Sequence, residues 1–495
     1  MGALIGIDIG TTGTRALAIN ERGEVVAAAS AAYPLHLPHP GWAEQDPEDW
    51  WRATRSAIRS LTARLTEPVA AIGLTGQMHG AVFLDEQDRV IRPAILWNDQ
   101  RTARQCEAIE HRVGSDRLRQ IAGNPALTGF QAPKILWLRE QEPENYRRLR
   151  RVLLPKDFVR LHLTGTYATD TSDAAGTLLL DLARRDWSDE LLATLELERE
   201  MFPSVFEGPM STGTILPRVA DELQLPRGIV VAAGAGDNAA AAIAAGIISS
   251  DRMSVSIGTS GVLFVHSDDL RYDPLGRVHA FCHCVPGAYH LMAVTLSAGG
   301  SLRWWRDLLG ESDYTPLADE AAALPPGAEG LLFLPYLTGE RTPHADPYVR
   351  GAFIGLTARH TRAHLTRAVM EGVAFSLRDG YECLRAVSVS SIADVRATGG
   401  GARHPLWRQI LADILGIPIR ALAIDEGAAY GAALLAGVAS GIYASVEEAC
   451  SLVRMQDDVT LPDPERHERY GELFTLYRSL YEPLRSVSWK LAGVA

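Results

Sequence analysis

Near the middle of the chain, Gly234-Ala-Gly-Asp-Asn238 sets a single carboxylate, Asp237, between the apolar run Ile229 to Ala233 and the small-residue run Ala239 to Gly246. An acid held between a buried strand and a tightly packed helix can be desolvated and aimed, as a general base must be. Asp237 could equally serve only as the N-cap of the alanine-rich helix. Two turns, Gly10-Thr-Thr-Gly13 and Gly258-Thr-Ser-Gly261, carry a second chemistry. Glycine joined to threonine in a tight turn exposes backbone N–H groups in a concave nest, which binds phosphate oxygens without lysine. Either turn alone is also an ordinary hairpin. Asp8, just ahead of the first, is placed to hold Mg2+ through water, because magnesium keeps several waters and takes one or two carboxylates.

A third group of residues could read hydroxyls. Gln77, Met78, His79 and Trp97 lie on turns at strand ends, on the side where Asp237 should emerge. A polyol site needs directed polar groups and an apolar surface under the C–H face. His79 can donate or accept and Trp97 can act as a platform, although Met78 as core and Trp97 as simple packing fit the same residues. Gly399-Gly-Gly401-Ala402, between a strand and a helix, would let a flat base or ribose approach the backbone. Such turns also arise for packing alone. The chain has no GxxxxGK[ST] loop and no protein-kinase HRD or DFG set.

These groups need elements to hold them. Ala3 to Ile9, Arg15 to Asn20 and Glu24 to Ala32 read as three antiparallel strands joined by glycine turns. Asp46-Pro-Glu-Asp-Trp50 opens a helix with proline at its first position and acids in its first turn. Strands follow at Val69 to Thr75 and Pro93 to Trp97, then a mainly helical insertion over about 102–182, then the strand Ile229 to Ala233. Met253 to Phe264 repeats the strand, turn, strand pattern of residues 4–19, with Ile257-Gly-Thr-Ser-Gly261 against Ile9-Gly-Thr-Thr-Gly13. A repeat of this kind predicts two lobes of the same fold facing each other. Helices are expected at Ser301 to Leu309, His364 to Leu384, Leu406 to Leu415 and Gly427 to Gly437, with a strand at Asp394 to Thr398. The expected division is a sugar-binding lobe over 1–245, a nucleotide-binding lobe over 246–440, and a helical tail over 441–495 packed on the lobes through Tyr470, Phe474, Tyr477 and Tyr481.

Composition narrows the function classes. With 47% hydrophobic and 22% charged residues, the 495-residue chain is globular and long enough for two large lobes. Its 48 basic and 60 acidic residues leave a charge of −12, which disfavours nucleic acid and anionic membranes as partners. The basic run Arg147-Arg148-Leu-Arg150-Arg151 reads as a solvated helix face, and no window offers 18 uncharged apolar residues. Met1-Gly2-Ala3 leads straight into a strand without a secretory signal, and five cysteines suit a reducing compartment, so a cytoplasmic protein is expected. His279, Cys282, His283 and Cys284 look like metal ligands, but alternation along a strand brings them together only in pairs, which favours a structural role.

Asp8-Ile-Gly-Thr-Thr-Gly-Thr14, Gly76-Gln-Met-His-Gly80, Gly234-Ala-Gly-Asp-Asn238 and Gly399-Gly-Gly-Ala402 together resemble the FGGY family of carbohydrate kinases. The resemblance runs to about residue 440 and includes Leu331 to Pro343 and Gly351 to Glu371. It implies an α/β fold of two actin-like, ribonuclease-H-like lobes with the active site in the interlobe cleft, and an enzyme that uses Mg-ATP. Met78-His79 and Pro93 to Asp99 point, within the family, to D-xylulose phosphorylated at its C5 hydroxyl. Asp237 would be the base, with Met78, His79 and Asn238 on the sugar. Thr11, Thr12, Gly13, Arg15, Gly258, Thr259, Gly299, Gly300, Gly401 and Ala402 would lie along the nucleotide. Arg403-His-Pro405 departs from the family near the adenine, Gln131 departs where a small or hydroxylated residue is expected, and Cys284 stands where alanine is usual; Lys134 and Trp137 fit. Another ketose or polyol such as ribulose is the alternative substrate, and a non-catalytic actin-like ATP switch the alternative class. A homodimer is compatible with the sequence.

Overall fold

A computed structural model of the chain describes residues 2–388 and 391–493. Three antiparallel strands open it: Ala3–Ile9 (β1), Gly13–Ile19 (β2) and Val25–Ala32 (β3). Helix Pro47–Thr62 (α1) follows, its first turn capped by the Asp46 carboxylate, which accepts from the Glu48 amide. Val69–Gly76 (β4) then runs parallel to β1, and Ser211–Thr214 (β5) and Val230–Ala232 (β6) complete a sheet of order β5-β6-β4-β1-β2-β3. The short stretch Ala235–Gly236 also pairs with β4 and delivers the chain into Asp237–Ala244 (α2).

The second lobe is built the same way from Arg252–Ile257 (β7), Gly261–Ser267 (β8), His279–Cys282 (β9) and Tyr289–Thr295 (β10). Helices Gly299–Leu308 (α3) and Arg362–Val387 (α4) precede Asp394–Thr398 (β11), Pro405–Leu415 (α5) and Ile419–Leu422 (β12). Gly427–Ala439 (α6), Met455–Thr460 (β13), Pro464–Ser479 (α7) and Tyr481–Leu491 (α8) end the described chain. The sheet order is β9-β10-β8-β7-β11-β12-β13, with β11 parallel to β7 as β4 is to β1. The hairpin followed by a parallel strand thus occurs twice, as the repeated sequence predicts.

Alternation along β1 divides its side chains between two cores. Ile5, Ile7 and Ile9 pack with Trp50, Ile58 and Leu61 of α1, whereas Leu4 joins Ala240 and Ile243 of α2 and Leu434 of α6. Each such side chain contributes roughly 1.5–3 kcal/mol by leaving water. Helix α6 follows the second sheet in sequence but lies on the first, and glycine makes that contact possible. A Cβ at Gly6 would fall 1.8 Å from the Ala429 carbonyl oxygen, one at Gly73 1.9 Å from that of Ala432, and one at Gly431 1.9 Å from that of Ala240. The two lobes therefore meet through α2 and α6 in near backbone-to-backbone contact.

Two expectations are corrected. Pro93 to Trp97 is not one strand: only Ala94–Ile95 pairs, with Glu44–Gln45, before the chain turns with the Asp99 amide donating to Leu96 O at 3.3 Å. That turn aims Trp97 at the cleft. The tail is not helical throughout, because β13 adds an edge strand beside β12; its mostly exposed Met-Gln-Asp-Asp-Val-Thr carries no hydrophobic alternation to announce it. Tyr470, Phe474 and Tyr477 of α7 are buried as expected, and Tyr481 stacks on His344 with ring centroids 3.5 Å apart. The region 102–182 is mainly helical, and Arg147 and Arg148 lie exposed at the end of the short helix Pro143–Arg148.

Candidate active site

Asp237 is the first residue of α2, so it is not the side-chain cap of that helix; Gly236 occupies the cap position. Its carboxylate accepts from the Asn238 amide at 2.7 Å and from Asn238 Nδ2 at 2.9 Å, both on one oxygen. Burial pushes its pKa up to about 6, against the lowering effect of the Asn238 bonds. The peptide just ahead of it is held from behind: Gly236 N–H donates to Ser172 Oγ at 3.1 Å, and Ser172 Oγ donates to Asp170. Asp170 in turn meets Lys156 Nζ at 2.8 Å, which also touches Asp157 and Asp173, and all four side chains are fully buried. Burial alone would discharge Lys156, but the surrounding carboxylates outweigh it and keep the ammonium charged.

Asp8 lies at the end of β1 opposite Arg15. Its pKa is pushed up to about 7, first by burial and then by the charge of Asp237, with Arg15 opposing. One of its oxygens, Oδ1, is buried with no hydrogen-bond partner. An orphaned hard oxygen of this kind fits a hydrated magnesium ion.

Asp237 and Asn238 face a cavity of about 270 Å3 shared by the two lobes. Met78, His79, Trp97 and Phe130 line it from the first; Ser256, Gly258, His279, Phe281 and Arg341 line it from the second. His79 sits at φ 68°, a conformation unusual for a non-glycine residue. Lys134 Nζ fixes it there by donating to His79 O at 2.8 Å and Gly129 O at 2.6 Å. His79 Nδ1 is 2.6 Å from the Gly176 carbonyl, which can only accept, so Nδ1 carries the proton. Burial drops the ring pKa to about 3, leaving a neutral imidazole whose Nε2 is an acceptor.

A second cavity, about 430 Å3, opens on the other side of the β7–β8 turn. Ile257, Gly258, Thr259, Gly299, Gly401 and Trp407 are among its walls, with Arg303, Tyr314, Arg403 and His404. Gly258 lines both cavities. In the two hairpin turns the first glycine amide closes the loop, Gly10 N–H to Gly13 O at 3.1 Å and Gly258 N–H to Ser260 O at 3.0 Å. Among the described residues no acceptor meets the amides of Thr11 and Thr12, or of Thr259 and Ser260.

Several expected contacts lie elsewhere. Gln77 is buried under the first turn and does not line the cavity that holds Asp237; its Nε2 donates to Gln45 at 3.0 Å and to Gly10 O at 3.3 Å. Trp97 lines the cavity but its indole N–H is spent on Thr11 Oγ1 at 3.0 Å. Gly299 and Gly300 donate their amides to Gly258 O and Thr259 O, at 2.8 and 3.0 Å, so neither amide is left for a phosphate. Ala402 faces away from the cavity that Gly401 lines, and Arg15 is ion-paired with Glu426. Thr12 is exposed, and Thr11, Thr12 and Gly13 border neither cavity directly.

His279, Phe281 and Arg341 line the cavity with Asp237 but are not among the expected site residues. His279 drew notice only within the apparent metal cluster; it bonds Asn124 Oδ1 at 2.8 Å, while Cys282 and Cys284 contact the backbone carbonyls of Leu182 and Ala239. Among the described residues no group of three or more His, Cys, Asp or Glu side chains could hold a metal. Arg341 lies within the Leu331 to Pro343 stretch that carries the family resemblance, but its loop is far along the chain and nothing local shows that it reaches this cavity.

Residues 3–244 match the N-terminal domain, and residues 253–440 the C-terminal domain, of the FGGY family of carbohydrate kinases. A xylulose kinase of Escherichia coli (strain K12) is 45% identical over 482 residues, covering 97% of this chain and 99% of that protein. A xylulose kinase of Bacillus subtilis (strain 168) is 39% identical over 495 residues, 99% of each. The crystal structure of ligand-bound xylulose kinase from Lactobacillus acidophilus superposes with a TM-score of 0.95 at 29% identity, covering 99% of this chain and 100% of that one.

Proposed function

Because this chain belongs to the FGGY family of carbohydrate kinases, we propose that it transfers the γ-phosphoryl group of ATP to the C5 hydroxyl of D-xylulose, giving D-xylulose 5-phosphate and ADP. It is a xylulose-phosphorylating enzyme of the two-lobed actin-like type. The observation that carries the mechanism is Gly258, which stands in the walls of both cavities and so joins a small site holding Asp237 to a larger one suited to a nucleotide.

The sugar occupies the first cavity, whose volume lies below the roughly 300–1,000 Å3 of pockets for drug-sized ligands. Asp237, ionised above about pH 6, accepts the C5 hydroxyl proton as the oxygen attacks phosphorus, and Asn238 holds that carboxylate in place. His79 Nε2 accepts from a hydroxyl, and Met78 and Phe130 meet the C–H face. The free amides of Thr259 and Ser260, and those of Thr11 and Thr12, receive phosphate oxygens. Phosphoryl transfer depends mainly on in-line positioning and charge neutralisation, so these amides carry much of the rate. Asp8 would hold Mg2+ through water; when bound, the ion neutralises charge on the phosphates. Closure of the lobes excludes water, the competing acceptor.

No helix among the described residues is long and apolar enough to cross a membrane. The five cysteines are free and buried, which suits a cytoplasmic site of action. The deciding experiment is D-xylulose titration in a coupled ADP-release assay. Saturable, sugar-dependent ADP release is expected; a clear preference for another sugar across a panel would reassign the substrate.

A further inference from the structure

The proposed mechanism leaves one charged group of the sugar-side cavity without a task. Arg341 is partly buried in the cavity wall, and among the described residues no group hydrogen-bonds or ion-pairs with its guanidinium; its bonds are through the backbone, and only the charge of the neighbouring Glu340 offsets its burial. A guanidinium carries five N–H donors and no acceptor, and a partly desolvated one without a partner is costly unless a ligand supplies acceptors. Its place is firmly built. The buried Glu340 accepts from Leu296 N at 2.9 Å and Arg341 N at 2.8 Å on one oxygen, and from Thr295 Oγ1 at 2.6 Å and Ser376 Oγ at 3.2 Å on the other. The residue that precedes Arg341 is thereby pinned to β10 and to α4.

Charge locates the guanidinium within the cavity. After burial, the positive charge of Arg341 is among the causes that lower the pKa values of both His79 and His279. Arg341 therefore stands at the end of the cavity that holds His79 and His279. At that end the cavity offers a donor-only group beside a neutral imidazole acceptor.

We propose that Arg341 and His79 together read the α-hydroxyketone end of an open-chain ketose, with the guanidinium donating to the C2 carbonyl oxygen and His79 Nε2 accepting from a neighbouring hydroxyl. Arg341 is then the residue that favours ketoses over alditols. A carbonyl oxygen only accepts, as a donor-only partner requires; an alditol presents at the same point a hydroxyl whose proton must be turned away from a cation. The proposal rests on the sugar-kinase reading given above.

The test measures kcat/KM of wild type, R341M and R341K on D-xylulose and on the alditols xylitol and D-arabitol. Loss of a charge-assisted hydrogen bond predicts that R341M loses about 30-fold or more on D-xylulose but less than about threefold on the alditols. The ketose preference then collapses while KM for ATP stays within about twofold. R341K, which keeps the charge without the planar fork, falls between. Equal losses on ketose and alditols would overturn the proposal, and so would a large rise in KM for ATP, which would put the guanidinium on the phosphates. If R341M shows no cooperative thermal transition, the ketose-to-alditol ratio of R341K decides by the same criterion. Wild type that fails to phosphorylate D-xylulose would instead sink the underlying reading, whatever the variants do.

Discussion

The two glycine-threonine hairpins share a pattern of residues and a strand arrangement, but they are braced by different means. Side chains prop the first turn: Tyr33 OH donates to Gly10 O at 2.5 Å, Gln77 to the same oxygen, Gln45 Nε2 to Thr11 O at 2.7 Å, and Trp97 to the Thr11 hydroxyl. Backbone props the second, through the amides of Gly299 and Gly300 at the start of α3. The residue ahead of each turn differs as well, Asp8 in the first and Ser256 in the second. One lobe thus gathers two raised-pKa carboxylates, and the other brings an uncharged turn and Ser256 to the same cavity that Asp237 lines. A duplicated scaffold acquires two roles by changing what stands behind the same loop.

Removing the carboxylate that makes the lobes unequal should have the largest effect. Asp237→Asn is expected to lower kcat by about 10²- to 10⁴-fold with ATP binding retained, as read by the ADP-release assay and by nucleotide titration calorimetry. A variant keeping a tenth of normal turnover would take Asp237 out of the base role. The backbone brace is next. A Cβ at Gly299 would lie 2.4 Å from Gly258 O, so Gly299→Ala must displace the second turn. Overpacking of about 1–3 kcal/mol there predicts a rise in KM for ATP of roughly 10- to 100-fold, with KM for D-xylulose changed much less. Equal changes in both constants would mean that the second turn does not belong to the nucleotide.

Acidification tests the same asymmetry through protonation. Burial raises the Asp237 pKa to about 6, and only its ionised form can accept a proton, so kcat/KM for the sugar should fall about tenfold per unit as pH drops below that value. A profile flat down to pH 5 would contradict it. The side-chain brace gives the smallest effect, and on stability rather than chemistry. Gln77→Leu removes the two Nε2 hydrogen bonds but leaves Gly10 O to Tyr33 and Gln45 Oε1 to Trp50, costing about 1–3 kcal/mol, and a thermal midpoint lower by several degrees is expected in a melting scan. If the melt is unchanged and KM for D-xylulose rises tenfold, Gln77 touches sugar after all.

The duplicated hairpin, the strand before Asp237 and the helix after it were legible because each rests on local rules: alternation along a strand, glycine in a turn, small residues in a packed helix. Asp237, Asn238, Met78 and His79, each at the end of a recognisable strand, line one cavity. Gln77 and Ala402 were misplaced because sequence shows that a residue is at a turn but not which way its side chain points. His279 drew notice only in an apparent metal cluster for which a structural role is expected, and its bond to Asn124 agrees with that; its place on the cavity wall depends on strand pairing that its neighbours do not announce.

The sequence by itself determined that two equivalent lobes exist and that one acid stands at a strand-to-helix junction, because periodicity and turn chemistry are properties of neighbouring residues. Tertiary structure alone decided that Arg341 shares a cavity with His79, that α6 crosses to the first sheet through Gly6 and Gly73, and that Gly258 stands between two cavities. Those pairings join residues far apart in the chain, and what fixes them is the close packing of whole elements, which no single stretch of sequence encodes.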